Sequence, residues 1–367
     1  MRSSKYFPAL DGMRGVAAIL ALLHHVVIYF SLDSGPLHIS FMHDHLYLLV
    51  DCFYVMSGFV IAHSFDAKIA SGMSFWRFMW FRVLRLYPMI VLGVLFGAVT
   101  LIAFWITKPE ISGWAISWSI VSGTLLIPTT ALLEYKPFAF PVNSPHWSLS
   151  FEMILCVAYA MLFARASHRR LLATAFITGV ALIGAAYKAG NLDIGFFWQD
   201  YWLALGRVFF PFLIGVIIRR SRMFKPETTG LGYLAIPILC LVLWNPIPAT
   251  WQYDAVCDLV VLPPVVWLIA SAKPSKSLDP IASVGGEMSY PLYAIHFPFV
   301  IALANMSKIL HLGALNNFLL SIACSLFVIG FSLVCYYYFD IPVRRQLAGL
   351  FSNKKSDSKP VAVSALS

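Results

Sequence analysis

The chain has 367 residues, 60% of them hydrophobic and only 12% charged, with a net charge of +9. A soluble domain typically holds about twice that charged fraction, so composition excludes an ordinary water-soluble fold and describes an all-α polytopic membrane protein. The basic residues cluster in short segments between apolar runs, where membrane topology accounts for them, so the positive charge does not indicate nucleic acid.

The first apolar run, Leu10 to Phe30, is long enough to span a membrane and no small-residue cleavage site follows it, so it reads as a span and not a cleavable signal. It carries Arg14 near its start and His25 inside. Eleven residues of helix are three turns plus roughly 20°, so the two side chains share a face about 16 Å apart. Ionisable groups inside a span are expensive and mark functional sites. Further runs long enough to cross follow at approximately 45–64, 82–106, 148–164, 171–187, 202–218, 230–246, 255–271, 289–308 and 315–338, which makes about ten spans. Lysine and arginine gather in alternate connections, at Lys68 to Arg85, Arg165 to Arg170, Arg219 to Lys225, Lys273 and Lys276, and in the tail. The other connections hold only Lys108, Lys136, Lys188 and Lys308. This bias places the first set, with both termini, in the cytoplasm. The connection from about 107 to 147 carries Trp114 and Trp118 and is expected to hold a re-entrant or interfacial element. Residues 1–351 form one membrane domain, and the Ser/Lys-rich 352–367 read as a flexible cytoplasmic tail.

With this orientation Arg14 stands at the cytoplasmic surface and His25 near the bilayer centre. Burial favours the neutral imidazole, which accepts a proton; a hydrogen bond that merely ties two helices is the plainer alternative. The third span opens with Arg82 and Arg85 on one face, at the same surface as Arg14. Topology alone puts arginines there. Helix N-termini are already positive, however, so three guanidiniums at two of them suit a polyphosphate ligand. Asp51, in the second span, and Glu152, one turn from Ser148 in the fourth, could each orient His25 or stabilise its imidazolium, or pair with a structural partner. Ser57 and Ser148 are hydroxyls without a nucleophile-elbow motif. In the ninth span Ser289, Tyr293 and His296 make one polar stripe, with Tyr290 beside it, and helix-to-helix glue and a substrate-lining surface are equally open. His38, His43, Asp44 and His45 match no standard metal spacing, so no metal is expected. The six cysteines sit in apolar surroundings and read as packing residues.

Together these motifs resemble the acyltransferase 3 family of integral-membrane O-acyltransferases. The likeness rests on Leu10-Asp-Gly-Met-Arg14 followed by His25, Val50-Asp51 to Ser57-Gly-Phe59, and Arg82-x-x-Arg85-x-x-Pro88. It continues in Trp147-Ser-Leu-Ser-Phe-Glu152, Ser289-Tyr-Pro-Leu-Tyr-Ala-Ile-His296 and Asp340-Ile-Pro342, where the family usually has glutamate in place of Asp340. The resemblance implies transfer of an acyl group, usually acetyl, from cytoplasmic acyl-CoA to a hydroxyl of a cell-surface glycan, glycolipid or lipochitooligosaccharide at a bacterial inner membrane. It assigns Arg14, Arg82 and Arg85 to the acyl-CoA side and His25 to catalysis. Tyr293, Ser57 or Trp147 is then available to the tetrahedral oxyanion. Some members carry a fused hydrolase-like domain; here the membrane core or a separate partner is expected to finish the transfer. A proton-coupled transporter or flippase using His25, Asp51 and Glu152 is the competing reading.

Overall fold

The computed structural model describes residues 7–32, 45–244 and 247–352. His38, His43, Asp44 and the tail from 353 on lie outside the described residues. Thirteen α-helices follow one another: α1 (Pro8–Tyr29), α2 (Leu49–Ala70), α3 (Phe75–Ile106), α4 (Gly113–Thr124), α5 (His146–Ala158), α6 (His168–Ala189), α7 (Ala204–Arg220), α8 (Ala235–Leu243), α9 (Trp251–Val256), α10 (Leu262–Ala270), α11 (Asp279–Ile309), α12 (Ala314–Cys335) and α13 (Ile341–Ser352). Single π turns continue α5, join α9 to α10, and join α12 to α13. Side-chain caps set several starts: Ser74, Ser112, Ser167 and Thr250 each accept a backbone N–H three residues on.

Among the described residues nine helical stretches are long and apolar enough to cross a membrane. The tenth expected span, at 230–246, contains only the short helix Gly232–Leu243, about 18 Å long against a hydrocarbon core of about 30 Å. Its flanks are nevertheless tied to opposite ends of the bundle. Thr228 and Thr229 donate to Ser271 O beyond the end of α10, whereas Ile247 O accepts from His45 ahead of α2. These two ties set the flanks of the short helix apart along the bundle, although it is not among the nine stretches long enough to cross. Between α3 and α5, where a re-entrant or interfacial element is expected, the chain forms α4, on which Trp114 and Trp118 are exposed and stacked at 6.2 Å.

Two close helix crossings organise the interior. The most extensive pairing, α1 on α11, is a seam of small residues: a Cβ on Gly15 would stand 2.5 Å from Gly285 Cα. Helix α2 crosses α7 as tightly, where a Cβ on Gly58 would lie 2.0 Å from Phe212 O. In lipid, where apolar contact alone gives no preference for protein over acyl chain, small residues let backbones approach and gain dispersion. The first crossing brings the Arg14–His25 helix against Tyr290, Tyr293 and His296; the second brings Asp51 to Arg207.

Candidate active site

His25, half-buried on α1, meets His296 of α11, with His296 Nε2 3.0 Å from His25 Nδ1. The hydrogen-bond network fixes which nitrogens carry protons. His296 Nδ1 faces two acceptors, Leu292 O at 3.0 Å and Tyr293 O at 2.9 Å, so its proton is there and Nε2 offers a lone pair. His25 Nδ1 donates to that lone pair and to Ala21 O at 3.0 Å. The lone pair of His25 is therefore on Nε2, which makes no hydrogen bond among the described residues. The ring is oriented as a base.

A cavity enclosing about 1050 Å³, part of it open, runs between α1, α2, α3, α5 and α11. Its α2 wall extends from Val50 to Phe65, about 22 Å along the axis. Arg14, Arg82 and Arg85 line it, with Ser57, Glu152, Ser148, Ser289, Tyr290 and Tyr293. Arg82 is buried and held by Glu152 at 2.6 Å, which also accepts from Ser57 Oγ at 3.2 Å; Arg82 Nε faces Cys156 Sγ at 3.3 Å. Arg14 lies 3.5 Å from Asp11. Arg344, from α13, is buried against Asp340, and this pair acts electrostatically on Arg85 together with Arg14 and Arg82. Four guanidiniums thus face three carboxylates. Arg85 is the one left: its guanidinium rests over the Tyr290 ring at 5.7 Å and has no acid partner among the described residues. A half-buried guanidinium without an acid partner, in a cavity with two other arginines, leaves net positive charge on the cavity wall. At the deep end Tyr293 Oη is 2.6 Å from Ser148 Oγ, and the Tyr293 ring is 5.9 Å from that of His296.

The sequence-derived candidates divide between this site and a second polar centre. His25 does not line the cavity; it stands past Tyr293, in contact with His296. Neither carboxylate expected beside His25 contacts it. Glu152 holds Arg82. Asp51 is fully buried against Arg207, which donates from Nε to Oδ1 at 2.9 Å and from Nη2 to Oδ2 at 2.5 Å, and also caps Ile194 O and Tyr47 O. Two buried charges are tolerated here because each satisfies the other. Trp147, a candidate oxyanion donor, belongs to this second centre: Arg207 lies 5.5 Å from its ring, and it is absent from the cavity wall. Sequence reading passed over Arg207, although a lone arginine inside an apolar span was itself the signal. It also passed over Arg344, and it placed His296 in a stripe without pairing it to His25. Among the described residues no group of three or more His, Cys, Asp or Glu side chains could hold a metal ion.

A bundle of membrane-length helices built around an arginine-lined cavity is the frame of a membrane enzyme. The chain belongs to a family described as "Acyltransferase domain", which matches residues 7–337, and is a membrane acyltransferase. It is similar to "Protein 2 in picA locus" of Rhizobium radiobacter, 30% identical over 190 residues that make up 49% of this chain and 94% of that protein. It is also similar to the O-acetyltransferase OatA of Staphylococcus aureus, 22% identical over 333 residues, or 82% of this chain. The chain spans about half of OatA, 52% of its length. No solved structure matches.

Proposed function

We propose that the protein transfers an acetyl group from acetyl-CoA to a hydroxyl of a glycan or glycolipid at a bacterial cytoplasmic membrane, with His25 as general base. The observation that carries this reading is the uncompensated Arg85 in a cavity shared with Arg14 and Arg82 and leading inward to Tyr293. The phosphates of coenzyme A suit the arginine end, which the lysine and arginine bias assigns to the cytoplasm. The pantetheine arm then extends along the cavity toward Tyr293. His25 Nε2 takes the proton of the acceptor hydroxyl as its oxygen attacks the thioester carbonyl. The tetrahedral intermediate collapses with cleavage of the carbon–sulfur bond, and the imidazolium returns the proton to the departing thiolate. His296 holds the His25 tautomer throughout. The name of the OatA relative supports O-acetyl transfer as the reaction.

Purified protein in liposomes tests the reading. Labelled acetyl should pass from acetyl-CoA to a glycan acceptor, and His25→Ala should reduce this by about 10²–10⁴-fold while the variant remains folded. Solute uptake without any acyl transfer would refute the reading in favour of a proton-coupled transporter.

A further inference from the structure

Helix α11 contains Pro298, which has no N–H, so the carbonyl of Ala294 four residues earlier loses its helical partner. That carbonyl is at the centre of the protein, on a residue with no exposed surface. A buried carbonyl left without a donor there would be destabilising. Asn143, in the segment before α5 and 1% exposed, supplies the missing donor: its Nδ2 lies 2.8 Å from Ala294 O. The second N–H of the same amide faces His146 Nε2 at 2.9 Å. Helix α3 closes on this junction at Gly93, where a Cβ would stand 2.3 Å from Ala294 O. Three segments thus converge on one carbonyl that a proline has released.

Two residues beyond Ala294 is His296, whose Nδ1 is anchored on Leu292 O and Tyr293 O in the same interrupted turn. Wherever that turn is held, His296 Nε2 is held, and with it the donor–acceptor contact to His25 Nδ1. We infer that Asn143 is a positioning residue for the transfer reaction: by binding the carbonyl freed at Pro298 it fixes the His296–His25 pair and so keeps the lone pair of His25 on Nε2. This rests on His25 being the base, and its first readout is independent of that.

The test uses the full chain in nanodiscs, treated with diethyl pyrocarbonate, a probe of unprotonated imidazole nitrogen. Modification of His25 is followed by mass spectrometry against the exposed His168 as internal standard. Asn143→Ala should change the rate of His25 modification by about twofold or more, because a ring released from the His296 contact no longer presents one fixed lone pair at one fixed exposure. Acyl transfer should fall on the order of 10- to 100-fold in kcat with the KM for acetyl-CoA unchanged. Pro298→Ala restores an N–H for Ala294 O, so Asn143→Ala/Pro298→Ala should recover both readouts toward wild type. If Asn143→Ala alone fails to fold, the double variant should fold. Unchanged His25 reactivity in a folded Asn143→Ala, or a double variant no better than the single, overturns the inference. Altered reactivity with transfer intact overturns the role of Asn143 in transfer, and removes His25 from the chemistry, while leaving Asn143 as an anchor of the His296–His25 contact.

Discussion

Removing the guanidinium of Arg207 separates structural from catalytic use of Asp51. Arg207→Met leaves a fully buried carboxylate without the guanidinium that pairs with it and removes the side-chain donors to Ile194 O and Tyr47 O. An orphaned buried charge costs about 3–5 kcal/mol, and Ile194 O, left without a donor, adds about 1 kcal/mol or more; Tyr47 O still accepts from the Leu49 N–H. At about 2–4 °C per kcal/mol, the unfolding temperature in detergent should drop by roughly 10 °C or more. Arg207→Met/Asp51→Leu, which removes both charges and keeps apolar volume, should recover most of that loss. Thermal unfolding followed by intrinsic tryptophan fluorescence reads all three proteins, and acyl transfer is measured on the same preparations. A single variant that melts with wild type, or a double variant that stays as unstable as the single, refutes the reasoning. A stable double variant that has lost transfer would return Asp51 to the catalytic residues.

Further outcomes follow from the cavity and the seam. Arg85→Ala should weaken acetyl-CoA binding by about tenfold or more, most strongly at low salt, and calorimetry showing equal affinity would remove its anion-binding role. Glu152→Gln keeps a hydrogen-bonding group against Arg82 and Ser57, so transfer should fall by less than about tenfold; a loss of about 10²–10⁴-fold would identify Glu152 as an acid or base in the reaction. His296→Leu should lower kcat on the order of 10- to 100-fold and spare the KM for acetyl-CoA, and a pure KM effect would contradict its place behind His25. Gly15→Val drives side-chain atoms into the Gly285 backbone and should part α1 from α11, with loss of transfer; retention of full kcat would show that the seam does not hold the histidine pair.

Much of the fold was legible because apolar runs of membrane length leave few alternatives, and nine of the ten expected spans correspond to long helices. What hydropathy missed was extent. Helix α11 begins at Asp279 and not near 289, because a hydrophobic window stops at the Gly-Gly pair although the backbone continues to hydrogen-bond through it. The arginine cluster was legible because Arg14, Arg82 and Arg85 lie toward the same end of the bundle. The expected helix N-termini are not theirs, however: Arg82 and Arg85 stand seven and ten residues inside α3, beyond the turn where the macrodipole acts. The partners were not legible, since pairing depends on which helices touch. Asp51 reaches Arg207 across 156 positions and His25 reaches His296 across 271. The glycines that permit those crossings stood in the sequence without naming the helix each would face.

The short helix Gly232–Leu243 has a consequence for the lipid around it. It presents Leu234, Ile238 and Leu241 outward, and about 18 Å of helix must serve where neighbouring spans reach 30 Å or more. Acyl chains beside α8 meet a shorter helix than beside the neighbouring spans, a mismatch that shorter chains relieve and longer ones increase. The load falls on the helix whose neighbour α10 packs against α1.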